Sequence, residues 1–149
     1  MKIAIGSDHG GLELKEHVKK YLLDKGVDVV DCGTNSSESV DYPDFAYKVA
    51  EAVKDGKCSN GIVVCGTGIG ISIAANKVAG IRCALCGDCY SAKMAKEHNN
   101  ANMLALGGRV VGKDLALEIV NSWINAEFQG GRHERRVNKI TDIEKKYMV

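Results

Sequence analysis

Five short apolar runs alternate along this chain with segments whose apolar residues recur every three or four positions. That alternation restricts the fold more than any other feature. The runs are Lys2–Gly6, Val27–Cys32, Gly61–Cys65, Ile81–Cys86 and Met103–Gly107. Each is of strand length and flanked by turn residues. Each is near-continuously apolar, the pattern of a strand covered on both faces. Leu12–Lys25 puts Leu14, Val18, Tyr21 and Leu22 on one helical face and stops at Gly26. The polar stretch Gly33–Asp41 is a loop. Pro43 opens a second helix carrying Ala46, Val49, Ala50 and Val53. A third helix begins near Gly68–Gly70, a short fourth covers Ser91–His98, and a fifth over Asp114–Ala126 aligns Leu115, Ile119 and Trp123. The expectation is an α/β fold of three layers, a five-stranded parallel sheet with helices on both faces.

The tail, Glu127 to Val149, changes character. It holds Arg132, Arg135, Arg136, Lys139, Lys145 and Lys146, and reads as a final helix after Gly130-Gly131. Its apolar seam is thin: Val137, Ile140 and Ile143. It is either a solvated helix or one that packs on a partner subunit and lends it arginines.

At 149 residues the chain is expected to form one domain, 1–149. Twenty basic residues against nineteen acidic ones leave a net charge of +1, which argues against a dedicated nucleic-acid binder. Met1-Lys2 runs straight into Ile3-Ala4-Ile5, too short an apolar stretch for a signal peptide. Residues 58–76 carry no charge, but Gly61, Gly66, Gly68, Gly70 and Asn76 interrupt them, so no membrane span is expected. These features point to the cytoplasm, where the six cysteines stay reduced. Cys83, Cys86 and Cys89 have the spacing of an iron–sulfur run. The next position of such a run holds Lys93, and Cys83 and Cys86 face opposite sides of a strand. They read as small core residues.

Ligands of an open parallel sheet bind beyond the carboxyl ends of its strands. Ser7, Asp8, His9, Gly10 and Gly11 follow the first strand, Cys65 and the loop Gly66-Thr67-Gly68-Ile69-Gly70 end the third, Asp88 follows the fourth, and Arg109 the fifth. A glycine-rich turn opening a helix presents backbone N–H groups, a cradle for a phosphate or a reaction oxyanion. Cys65 sits at its mouth, where the same field favours thiolate, and is a candidate base or nucleophile. The spacing fails a P-loop, since Thr67 stands where its lysine belongs, and a Cys-x5-Arg loop, since Ile71 stands where its arginine belongs. A dinucleotide fingerprint fits Gly66 and Gly68 but meets Ile71 at its third glycine; Asp88 stands where a ribose-binding acid belongs. His98 and Asn99 close the fourth helix; His98 is expected near the carboxyl end of the sheet, a placement that suits it to acid–base chemistry. Arg132 and Arg136 lie one helical turn apart and, with His9, suit a phosphate dianion.

Five segments in order resemble the type B ribose-5-phosphate isomerases, whose wider family includes galactose- and allose-6-phosphate isomerases. They are Gly-Ser-Asp-His-Gly-Gly at 6–11, Ser-Val-Asp-Tyr-Pro-Asp at 39–44, Cys-Gly-Thr-Gly-Ile-Gly at 65–70, Glu-His-Asn at 97–99 and Arg-His-Glu-Arg-Arg at 132–136. The resemblance implies a Rossmann-like doubly wound sheet. It implies homodimers or tetramers with active sites at the subunit interface, reached by the tail of the neighbour. It implies conversion of ribose 5-phosphate to ribulose 5-phosphate through an enediolate, without metal or other cofactor. By position, Cys65 matches the base, His98 the ring-opening group, and Asp8 a residue at the ring-opening end. The backbone of Gly66, Gly68, Ile69 and Gly70 matches the enediolate cradle, with Thr67 in the same loop. His9, Arg132 and Arg136 match phosphate-binding positions, and Asn99, Arg109 and Tyr42 sugar-binding ones. A hexose-6-phosphate isomerase is the alternative. An NAD-binding oxidoreductase that depends on Asp88 and a non-catalytic phosphosugar sensor stand behind it.

Overall fold

The computed structural model describes residues 1–148. Five strands form the sheet: β1 Lys2–Ser7, β2 Asp28–Asp31, β3 Asn60–Cys65, β4 Cys83–Leu85 and β5 Met103–Gly107. Six helices connect and follow them: α1 Leu12–Asp24, α2 Tyr42–Lys54, α3 Ile69–Ala75, α4 Cys89–Asn99, α5 Lys113–Ile124 and α6 Arg132–Tyr147. A single 3₁₀ turn, His9–Gly11, joins β1 to α1.

All neighbouring strands run parallel, in the order β2-β1-β3-β5-β4. This is the Rossmann-like, doubly wound sheet the sequence implied. The chain moves outward from β1 to β2, then crosses back to lay β3 on the other flank of β1. The carboxyl ends of β1 and β3 therefore frame the point where the winding reverses, the usual ligand crevice of such sheets.

Alternate strand residues feed two cores. Ile3, Ile5, Ile62, Val64, Leu104 and Leu106 pack against α1, α4 and α5. Ala4, Val63, Cys65, Met103 and Ala105 face α2 and α3. The second layer sits close: a side-chain carbon on Gly61 would come within 2.6 Å of Val49 in α2. Pro43 sits in the first turn of α2, where its missing N–H costs nothing, and the Asp88 carboxylate caps α4 by accepting from Ser91 N.

Three expectations change. The edge strands β2 and β4 are shorter than their apolar runs, and only partly buried. Having a strand neighbour on one side only, they lose the ladder before the apolar run ends. The buried stripe of α5 is Ala116, Ile119, Val120 and Trp123, not one that includes Leu115, which is 40% exposed. The spacing i, i+3, i+4, i+7 centres one residue later, and Leu115 is turned about 100° from it. In α6, Val137 is buried on the chain's own α4 while Ile140 and Ile143 stay exposed. Cys83 packs on the α2–α3 side and Cys86 on the other, as strand alternation predicts. Among the described residues no helix is long and apolar enough to cross a membrane.

Candidate active site

The carboxyl edge of β1 and β3 gathers one group of the expected residues. Asp8 is buried; its carboxylate accepts the Gly11 N–H at 3.0 Å, and its own N–H bonds to Val64 O at 3.3 Å. That pair ties the turn after β1 onto β3. A side-chain carbon on Gly11 would overlap the Val64 carbonyl, so only glycine allows this approach. His9 follows, half-buried, and its Nδ1 accepts the Val40 N–H at 3.1 Å. A neutral His9 ring therefore carries its proton on Nε2. Arg109 sits after β5, its N–H bonded to Gly66 O at 2.9 Å. Its guanidinium lies over Gly10 and Gly66, where added carbons would meet it at 3.4 and 3.3 Å. A cavity of about 430 Å³ opens here, lined by His9, Gly10, Arg109 and Lys113, three of them potential cations.

Cys65 ends β3 with 5% of its surface exposed. The Gly68 N–H donates to its Sγ at 3.1 Å, so the loop after the strand aims a donor at the sulfur. Gly68 has φ +79, and the loop turns into α3 at that point. Thr67 Oγ1 accepts the Ile69 N–H at 3.2 Å and steadies the same turn. Tyr42, the first residue of α2, lays its ring against Gly70, where an added carbon would stand 2.6 Å from the ring. Asp8, His9, Tyr42, Cys65, Gly66, Thr67, Gly68, Ile69, Gly70 and Arg109 thus share one edge.

His98, Asn99, Arg132 and Arg136 do not join them. The expectation that His98 stands near the carboxyl end of the sheet is wrong. α4 leaves the carboxyl edge at Asp88 and returns antiparallel to the strands, so its last turn reaches the amino edge. Lys96 donates to Asn60, the first residue of β3, at 2.8 Å. Arg82, just before β4, donates to the carbonyls of Asn99 and Asn100. The six residues of β3 separate that end from Cys65 by about 16 Å. α6 begins beside it: the rings of His98 and His133 stack in parallel, 4.1 Å between centroids and 6° between planes. Arg132 and Arg136 are exposed on the same helix.

Among the described residues no group of three or more His, Cys, Asp or Glu could hold a metal ion. Asp88, the acid a dinucleotide reading needs, is engaged by Ser91 through both N–H and Oγ, at 2.7 and 2.9 Å. Those bonds hold its carboxyl below the usual range. It serves as a helix cap.

Sequence reasoning gave three residues no role. Lys15 is fully buried and donates to Asp31, the Thr34 carbonyl and Asn35 at 2.8, 2.7 and 3.2 Å. It anchors the start of the loop that brings Val40 to His9. Val40 acts through its backbone, which no side-chain pattern reports. His133 carried a signal, since it lies inside the Arg-His-Glu-Arg-Arg segment, but its neighbour is settled only by packing.

Residues 3–140 match the family model described as Ribose/Galactose Isomerase. The chain is 52% identical to ribose-5-phosphate isomerase B of Escherichia coli over 97% of both chains. It is 50% identical to the D-erythrulose-4-phosphate isomerase of Pectobacterium atrosepticum, over 94% of this chain and 93% of that one. The solved structure of Clostridium thermocellum ribose-5-phosphate isomerase B superposes with a TM-score of 0.98 at 65% identity, over 99% of each chain. With a fold, an ordered motif set and full-length similarity in agreement, this chain belongs to the ribose/galactose isomerase family.

Proposed function

We propose that the chain interconverts ribose 5-phosphate and ribulose 5-phosphate, with Cys65 as the base. The observation that carries this is the buried Cys65 thiol at the mouth of a glycine loop, with Gly68 N–H on its sulfur and Arg109 over Gly66. Exchange between an aldose and a ketose needs one group that takes the C2 proton and returns it to C1. A thiolate at Cys65 takes the proton; the electrons of the broken C–H bond move into the enediolate. The loop's backbone N–H groups face the oxygen that becomes negative. The thiol then returns the proton to C1 while the O2 proton passes to O1, which leaves the ketone at C2. Such positioned acid–base groups are worth roughly 10²–10⁴-fold. The cavity beside His9 and Arg109 takes the phosphate, away from the reacting carbons, and so orients the substrate.

Ring opening needs a second acid–base group, and His98 of the same chain is too far away. We therefore read the site as composite. A second copy supplies His98, Asn99, Arg132 and Arg136, and the first supplies the Cys65 edge. Exposed apolar residues around the loop, Ile69, Ile73, Leu85 and Val110, support a covered surface there. The smallest assembly that satisfies this is a homodimer. Six free thiols accord with a reducing compartment, the cytoplasm.

The test is turnover of ribose 5-phosphate by the purified protein without added metal or NAD. Allose 6-phosphate, galactose 6-phosphate and erythrulose 4-phosphate run beside it. Preferential conversion of the pentose phosphate is expected. Preference for another sugar phosphate would move the substrate and keep the mechanism. No conversion of any of them would overturn the reading.

A further inference from the structure

His133 is nearly fully buried in the first turn of α6, on the face it shares with Val137. Arg132 and Arg136 stand on the neighbouring, exposed face of the same helix. The His133 side chain therefore points back into its own chain while the arginines point out. What it meets there is the His98 ring, at 4.1 Å and within 6° of parallel. Among the described residues no hydrogen bond orients the His98 imidazole, so the stack is the contact that sets its plane. We propose that His133 is a positioning residue for His98, holding that ring at the angle from which it serves the sugar of a neighbouring copy. The proposal rests on the reading of His98 as the ring-opening group.

Burial, then His98, Arg132 and Arg136, push the His133 pKa below the ordinary histidine value. That shift disfavours a second charge beside His98, and the flat π face of His133 lies against it. On α4 the adjacent Glu97 is turned to other partners, Gln129 Nε2 at 3.0 Å and Lys93 at 3.7 Å. Gln129 N–H also donates to Glu97 O, which pins the segment before α6 to α4 and keeps the two helices in register. The phosphate-binding arginines and the ring-opening imidazole are thereby joined through one rigid corner. A sugar phosphate gripped by the arginines is presented to a His98 whose orientation the same helix has set.

The experiment is a double-mutant cycle on ribose 5-phosphate turnover with His133→Ala, His133→Gln and His133→Phe. Ala and Gln remove the flat ring, and kcat is expected to fall about tenfold, as for a small misplacement of a catalytic group, with KM nearly unchanged. Phe keeps a flat ring and is expected to restore most of the loss. In a His98→Asn background the same substitutions should cost nothing further. Losses that add to that of His98→Asn would overturn the positioning role and leave the reading of His98 standing. A raised KM with intact kcat would place His133 with the phosphate arginines instead, and Phe no better than Gln would remove the stack as the cause. Should His98→Asn alone leave ribose 5-phosphate turnover intact, the reading of His98 fails, and the positioning role fails with it.

Discussion

Mixing two impaired variants tests the composite site. The perturbations are Cys65→Ala in one chain and His98→Asn in the other. A catalytic group must stand within roughly 2.6–3.2 Å of the proton it moves. Cys65 closes β3, while the end of α4 that carries His98 lies beside the first residue of that strand, about 16 Å away along it, so one chain does not bring both to one sugar. In a two-fold dimer each site takes Cys65 from one copy and His98 from the other. Each variant alone then has no intact site. Random reassortment of equal amounts makes half the dimers mixed. Each mixed dimer holds one site with both groups native and one with neither, so about a quarter of wild-type activity should return. The assay is ribose 5-phosphate turnover after co-expression, with the mixed dimer counted by native mass spectrometry through two different tags. Recovery should scale with that count. Mixed dimers present in quantity with no recovered turnover would refute the reasoning.

Other outcomes follow from single features. Gly68→Ala places a side chain at φ +79 and within 3.0 Å of Leu85 and the Leu106 backbone. A left-handed residue costs about 1–2 kcal/mol and overpacking about 1–3, so urea midpoints should fall by the equivalent of about 2–5 kcal/mol while the m-value holds. Lys15→Met strands the Asp31 carboxylate with Lys19 at 2.9 Å as its remaining cation; a loss of about 3 kcal/mol, at the low end for a broken buried pair, is expected in urea unfolding. Arg132→Ala with Arg136→Ala should raise KM far more than it lowers kcat, and an unchanged KM in steady-state kinetics would remove both from the phosphate site. Burial, with Arg82 second, brings the Lys96 pKa down to about 8 from 10.5. The unfolded chain therefore binds the extra proton across that window, and Lys96 should make stability rise with pH from about 8 to about 10.5. Chemical denaturation across that range, with Lys96→Met as the flattened control, measures it.

How far the site was readable depends on how local each signal is. Asp8, His9 and Cys65 to Gly70 follow strands directly, so placing the strands placed them. Tyr42 came from its motif alone; its contact with Gly70 depends on α2 and α3 packing side by side. The sequence expectation sets His98 at the wrong edge although a signal exists: a crossover helix between parallel strands begins at the carboxyl edge and must end at the amino edge. The apolar spacing misplaces the α5 stripe by one residue, because Leu115 is the more hydropathic of two neighbours and Ala116 is the one that faces the core. Lys15 looked like an ordinary charged residue on an amphipathic helix; its burial depends on Asp31 and Thr34 arriving from another part of the chain.

From the sequence alone came whatever rests on neighbours along the chain. Apolar period defined strands and helices, glycines marked the turn after β3, and an ordered set of short segments identified the family. Strand order, the edge at which each helix ends, and the partner of each buried polar group came only with tertiary structure. They depend on contacts between segments far apart in sequence, whose free energies belong to pairs of surfaces and not to any one stretch of residues. The separation of Cys65 from His98 is of that kind. Each residue was visible in its own motif, but only the sheet between them places them at opposite edges, which is why the proposed site draws on a second copy.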